Sequence, residues 1–540
     1  MHLQTLHELD QTEGTVQLRK PPSLTTKPDE STLLLIPHPS ETDPNDPLLW
    51  PLWKKHVCFF ASCLFTFMTN YSIGGLAPAF AVLSKEFDKS EDETSDLLLW
   101  PVLVLGLMNF FWVPLANYFG KRPVFVFSSL LLFLTCIWGA VAKSFKSLLW
   151  CNIVAAFAGA TTETLVAGMV NDIYFLHERG SKMGIYMASI SGGNTIGPLI
   201  CGFVTATIGW RWHKGIAAIV TGINFLLVLF FVPETTFARE EPNSSGASKD
   251  ITPGSSVSGS PAATEEITAH VTAQPKASSP TRFNTATRFS VPKKTYLQQL
   301  TLLPNIQRST DLLKMFLRPF LLILYPAVTY SFLAYAVVLA WTVAVNMLAP
   351  FILSAPPYSF SPALLGLLNI AGLLGNLFGS LTGGWLVDRY SDWRARRARG
   401  VFRPETRLPL LVVPCVCVPA GCVLFGYAAE RGWHWALLFV AYGLVAVGLT
   451  AVPIMTFVYV SDSYFPVSPD ALLLINGLKN IVAFGFLYAI VPWVGRVGYT
   501  ACFGTQAGIY VAVVVVLGVP LYVFGEKIRH RTARWRIILS

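Results

Sequence analysis

The sequence predicts an all-α membrane protein with twelve transmembrane helices arranged as two six-helix halves, and three observations predict it. Of 540 residues, 53% are apolar and only 13% charged, about half the charged share of a soluble globular domain. Apolar runs long enough to cross roughly 30 Å of hydrocarbon recur along most of the chain, with one long polar interruption after the sixth. Lys and Arg gather in alternate short loops, the pattern of cytosolic loops under the positive-inside rule. A water-soluble enzyme is thereby excluded. The formal charge is +9, but the cations lie between apolar spans and form no separable basic domain, so nucleic acid is not an expected partner.

Residues 1–55 read as a polar N-terminal tail on the cytosolic side, with no basic stretch leading into an apolar run that would mark a cleavable signal. A first bundle, residues 56–236, holds spans at about 57–83, 96–118, 123–142, 148–172, 184–208 and 216–233. Residues 237–317 are rich in Ser, Thr, Pro and Ala. They cannot bury enough apolar surface to fold alone and are expected to be a disordered cytosolic linker. A second bundle, residues 318–525, holds spans at about 320–348, 362–387, 408–428, 435–460, 469–492 and 500–524, followed by a basic tail at 526–540.

With the N-terminus inside, the cytosolic loops contain Lys121 and Arg122, Arg179 and Lys182, and an arginine cluster from Arg389 to Arg407. The first external loop is acidic, with Glu86, Asp88, Glu91, Asp92, Glu93 and Asp96 against Lys85 and Lys89. Both termini are therefore expected in the cytosol. The nine cysteines fall inside apolar stretches without paired CxxC spacing, so no disulfide framework, metal or other cofactor is expected. A GxxxxGK[ST] phosphate loop is absent from the sequence, which argues against ATP-driven transport within this chain. Twelve helices in two halves suit a transporter with a substrate site near the midplane.

The loop after the second span reads Val113-Pro-Leu-Ala-Asn-Tyr-Phe-Gly-Lys-Arg-Pro123. It resembles the G-x-L-a-D-r-x-G-r-r signature of the major facilitator superfamily at Leu115, Ala116, Gly120, Lys121 and Arg122. Val113, Asn117 and Tyr118 depart from it, and the missing acid at 117 bears on the charge-relay gate the family builds there. The equivalent loop of the second half, Gly384-Trp-Leu-Val-Asp-Arg389, keeps Gly384, Leu386, Asp388 and Arg389. Recurrence at corresponding places implies two homologous, pseudo-symmetric halves. Span five contains Ser191-Gly-Gly-Asn-Thr-Ile-Gly-Pro-Leu-Ile-Cys-Gly202, similar to the family's antiporter motif at Gly193, Gly197, Pro198 and Gly202. Small residues there let helices approach closely, and a proline bends the helix. Asp43-Pro-Asn-Asp-Pro-Leu-Leu-Trp-Pro, His177-Glu-Arg-Gly-Ser-Lys182, Gly209-Trp-Arg-Trp212, Val232-Pro-Glu-Thr-Thr236 and Val460-Ser-Asp-Ser-Tyr464 resemble a fungal branch of the superfamily. That branch includes drug:proton antiporter-like exporters and organic-cation or polyamine carriers. Ala155 stands where many proton-coupled exporters carry an Arg, so proton coupling would use another residue.

Glu163 is the expected candidate for that role. It lies mid-span, where an ionised carboxylate costs several kcal/mol unless it faces a wet cavity, binds a cation or takes up a proton; a protonated Glu in a helix–helix hydrogen bond is the structural alternative. Lys479, about ten residues into span eleven, can neutralise an anionic substrate, pair with a carboxylate on a neighbouring helix, or snorkel to the surface. Asp172 and Asp462 sit at cytosolic span ends, where gating or loop anchoring is expected. Mid-span Asn70, Tyr71, Asn109, Asn194, Tyr330, Tyr335 and Trp341 outline a pocket neighbourhood of amides and rings. Gly375, Gly379 and Gly383 form a close-packing stripe.

These observations predict a secondary transporter of a small organic molecule, a monomer in the plasma membrane. The expected function is proton-coupled efflux of a xenobiotic or secondary metabolite. The alternative is proton-coupled uptake of an organic cation such as a polyamine. A transport-dead receptor signalling through the linker is a third class, and the linker shows no folded signalling module.

Overall fold

A computed structural model describes residues 39–40, 43–237, 292–301, 312–397, 401–464 and 467–535, with short two-residue pieces at 3–4, 16–17 and 538–539. Most of the expected linker lies outside the described residues. Among the described residues, twelve long helical stretches and several shorter helices make up the fold. The twelve are α1 (Leu52–Gly74), α2 (Glu91–Phe119), α3 (Lys121–Ala140), α4 (Phe145–Ile173), α5 (Leu176–Thr207), α6 (Arg211–Phe231), α7 (Pro326–Ser354), α8 (Pro362–Ser380), α9 (Val412–Arg431) and α10 (Trp435–Ser463), followed by α11 and α12. The last two are continuous in hydrogen bonding over Ser468–Val511 but break at Gly498, whose φ of 81° is closed to most side chains, so α11 spans 468–497 and α12 runs from 499 to 533 through a π-turn.

Among the described residues, ten helical segments are long and apolar enough to cross a membrane by length and composition. The difference from the twelve expected lies in two places. Ser468–Ala533 counts as one segment although Gly498 divides it, and α5, rich in Gly, Ser and Thr, is 32 residues long but lies outside the apolar set.

Local sequence explains the ends. Ser90 and Glu93 form a reciprocal capping box that starts α2 beside the acidic loop. Gly120, at φ 99°, is the single residue between α2 and α3. Beyond α1 the chain bends at Gly75 and continues as a second short helix, Phe80–Phe87.

The packing repeats with a shift of six helices. Helix α1 packs on α5 as α7 packs on α11; α2 packs on α4 as α8 on α10; α3 packs on α6 as α9 on α12. The seam repeats too, α5 lying against α8 and α11 against α2. In the most apolar stretches of α1, α4, α7 and α10, 72–78% of residues are buried, against 33–50% for α3, α6 and α9. The first set is interior. The second presents side chains such as Phe127, Ile223 and Val416 outward, where hydrocarbon replaces water as solvent.

Glycines allow the seam its closeness. A Cβ at Gly202 would stand 2.8 Å from the Cα of Gly366, and one at Gly197 3.1 Å from the Cα of Tyr71. The α5 motif thus lies between α1 and α8, with Pro198 inside the helix. On α8 and its extension, a π-turn at Leu381–Leu386 followed by helix Val387–Arg397, Gly375, Gly379 and Gly383 all face α10.

Candidate functional site: a buried ion pair across the seam

Glu163 on α4 and Lys479 on α11 meet at the centre of the bundle, with Nζ to Oε1 at 2.8 Å. They are 3% and 1% exposed. The other carboxylate oxygen, Oε2, accepts from Asn480 Nδ2 at 2.8 Å and from Asn109 Nδ2 at 2.9 Å. Lys479 also donates to Asn480 Oδ1 at 3.1 Å, and its ammonium lies 4.8 Å from the centre of the Tyr335 ring. Every neighbour hydrogen-bonded to the Glu163 oxygens is a donor, so the cage complements a carboxylate. Of the three roles open to Lys479, the geometry is that of pairing with a carboxylate on a neighbouring helix.

A second ring of bonds fixes the backbone. Asn476 Nδ2 donates to the Glu163 carbonyl at 3.0 Å, as does the Tyr186 hydroxyl of α5 at 2.5 Å. Thr164 Oγ1 donates to Asn109 Oδ1 at 2.9 Å, which orients the amide nitrogen toward Glu163. Asn476, Lys479 and Asn480 share one face of α11 because they are spaced i, i+3, i+4. The cluster therefore joins α2, α4 and α5 of one half to α7 and α11 of the other.

Of the residues expected near substrate, Glu163, Asn109, Lys479 and Tyr335 come together. Asn480, Asn476, Tyr186 and Thr164 were not anticipated, although the α11 spacing was visible in the sequence. Asn70, Tyr71 and Asn194 form a separate contact between α1 and α5. Asn194 donates to Asn70 Oδ1 at 3.3 Å, and Tyr71 stacks on His213 of α6 at 4.5 Å. Tyr330 turns toward α12, where a Cβ at Gly518 would stand 2.8 Å from its hydroxyl. Trp341 packs edge-on against Phe486 of α11 at 5.1 Å.

The two signature loops lie at the same end of the bundle, which we call the basic face. In the first half Lys121 pairs with Asp172 at 2.5 Å. Arg122 donates to the carbonyls of Val232 and Leu229 at the end of α6, and Glu234 accepts from the backbone N–H groups of Lys121 and Arg122 at 3.1 Å each. In the second half Arg407 bridges Asp388 at 2.8 Å and Asp462 at 3.0 Å. Arg389 of the same signature is exposed. Asp388 also reaches the first turn of α5, since a Cβ at Gly180 would stand 2.5 Å from its Oδ2. A carboxylate there faces the positive end of the helix dipole.

Two homologous six-helix halves meeting at a polar, charged seam define a class: membrane transporters built from repeats. The chain belongs to the Major Facilitator Superfamily, whose family model matches residues 59–464. It is similar to an MFS-type transporter of Schizosaccharomyces pombe, 25% identical over 94% of this chain and 89% of that one. It is also similar to the efflux pump radE of Floropilus chiversii, 22% identical over 94% of this chain and 87% of that one. Its fold matches the human organic anion transporter MFSD10 with a TM-score of 0.56 at 14% identity, covering 87% of this chain and 100% of that one. The protein is a multi-pass membrane transporter.

Proposed function

We propose that the protein exports a small organic molecule, a xenobiotic or secondary metabolite, in exchange for protons, and that Glu163 is the group that takes up the proton. The observation that carries this reading is the Glu163–Lys479 pair across the seam. Alternating access requires α4 and α11 to part, and parting two buried opposite charges costs several kcal/mol. A proton on Glu163 removes that cost. Neutral Glu163 keeps Asn109 on its own side, while Lys479 keeps Asn480 and the Tyr335 ring on its side. Separation releases the Asn476 and Asn480 amide nitrogens from the Glu163 oxygens, donors that water entering the opened seam would satisfy.

Export is supported by the small-residue α5 motif and by a relative named as an efflux pump. The basic loops support cytosolic termini, and the plasma membrane is the proposed location, with the protein acting as a monomer. One observation favours a second reading, uptake of an organic cation such as a polyamine. The carboxylate and ring that hold the Lys479 ammonium are the groups that would hold a substrate ammonium.

The test is flux in proteoliposomes under an imposed pH gradient, with a labelled polyamine and a neutral hydrophobic drug, for wild type and Glu163→Gln. Export predicts drug movement in exchange for protons, lost in the variant at normal protein abundance. Polyamine movement with protons, lost in the variant, would establish the uptake reading instead. A pH response unchanged in Glu163→Gln removes Glu163 from the coupling.

A further inference from the structure

A cavity of about 1150 Å³ lies at the basic face, away from the seam, between residues 43–54, the α2–α3 turn, the end of α6 and the returning segment 292–301. The returning segment is fastened as its wall. The backbone N–H of Lys294 donates to Asn45 Oδ1 at 2.8 Å, Asn45 Nδ2 donates to the Pro292 carbonyl at 3.2 Å, and the Tyr296 hydroxyl donates to the Phe230 carbonyl.

Five charged side chains line the cavity: Asp43, Lys54, Glu234, Lys293 and Lys294. The two acids are oriented by neutral N–H donors. Asp43 accepts from the backbone and side-chain nitrogens of Asn45 at 2.8 and 2.7 Å. Glu234 accepts from the N–H groups of Lys121, Arg122, Thr235 and Thr236. Lys54 lies 3.9 Å over the Trp50 ring and donates to Gln299, while Lys293 and Lys294 are exposed. Three lysines against two carboxylates leave the lining net positive.

The apolar rim decides between a soluble anion and an amphiphile. Trp53, 62% exposed, and Phe230, 49% exposed, line the same cavity at the ends of α1 and α6, the level where helices leave the hydrocarbon. Aromatic rings beside lysines at that depth suit a molecule with an anionic head and an apolar tail. We propose that this cavity binds the phosphate headgroup of an anionic phospholipid from the leaflet at the basic face, its acyl chains passing over Trp53 and Phe230.

The test is native mass spectrometry of the purified full-length transporter titrated with phosphatidylserine, phosphatidylcholine or inorganic phosphate. Wild type should retain phosphatidylserine in preference to phosphatidylcholine, and millimolar inorganic phosphate should not displace it. Lys293→Gln with Lys294→Gln should weaken phosphatidylserine binding roughly 30-fold, at about 1 kcal/mol for each lysine. Lys293→Arg with Lys294→Arg should retain it, which separates charge from loss of fold. Equal retention of both lipids, unchanged affinity in the Gln pair, or displacement by inorganic phosphate would each overturn the lipid assignment, the last in favour of a free-anion site.

Discussion

The two halves close their basic-face ends with the same parts but different numbers of charges. In the second half Asp388, Arg407 and Asp462 form a three-membered bridge from α8 across to α10. The first half has a pair, Lys121 with Asp172, because Asn117 stands in the signature where Asp388 stands in its repeat. The partners across the seam differ correspondingly. Asp388 faces the first turn of α5, whereas the first turn of α11 carries its own acid, Asp470, paired at 2.9 Å with Arg318 ahead of α7. A repeat that loses an acid at one end thus has its opposite helix terminus served by a different residue. The basic-face ends are asymmetric, with the more extended ion-pair bridge in the second half.

That contrast can be broken from its strongest member downward. Arg407→Ala should have the largest effect. It leaves Asp462, whose side chain is 8% exposed, with only the electrostatic influence of Arg179 for a cation, which costs up to about 3–5 kcal/mol, read as a lowered Tm of the purified protein. Asp388→Asn makes the second half resemble the first. It should cost about 1 kcal/mol, since that side chain is 38% exposed, and should increase modification of a reporter cysteine placed at the α5–α8 seam on the basic face. Asn117→Asp makes the reverse change and should slow turnover in flux assays while altering Tm by less than about 1 kcal/mol equivalent. Lys121→Ala should have the smallest effect, at most about 1 kcal/mol, because its pair is 12% and 24% exposed. Equal losses for Arg407→Ala and Lys121→Ala would remove the asymmetry.

The fold was legible because the bilayer imposes long apolar runs and a charge bias on its loops, and both survive in a single sequence. The α11–α12 break was legible as two spans, although hydrogen bonding runs through it. Helix rotation was less legible. Helix α7 is apolar on nearly every face, so nothing marked Tyr335 as facing Lys479 and Tyr330 as facing α12. The site was half legible. Charges are rare enough at membrane depth that Glu163 and Lys479 stood out individually, but they are 316 residues apart and no local pattern joins them. Arg407 read only as one cation in a basic cluster. Its bridge to Asp388 and Asp462 depends on tertiary placement.

In the proposed mechanism the Glu163–Lys479 pair holds the two halves together until Glu163 is neutralised. Its most direct test is the distance between spin labels at Ser181 and Trp393, on the basic-face ends of α5 and of the α8 extension, measured by pulsed EPR across pH in wild type and Glu163→Gln. The account predicts that acidification shifts wild type toward a longer distance, and that the variant populates the longer distance at every pH. A variant that keeps the wild-type distances and the wild-type response to pH would contradict it.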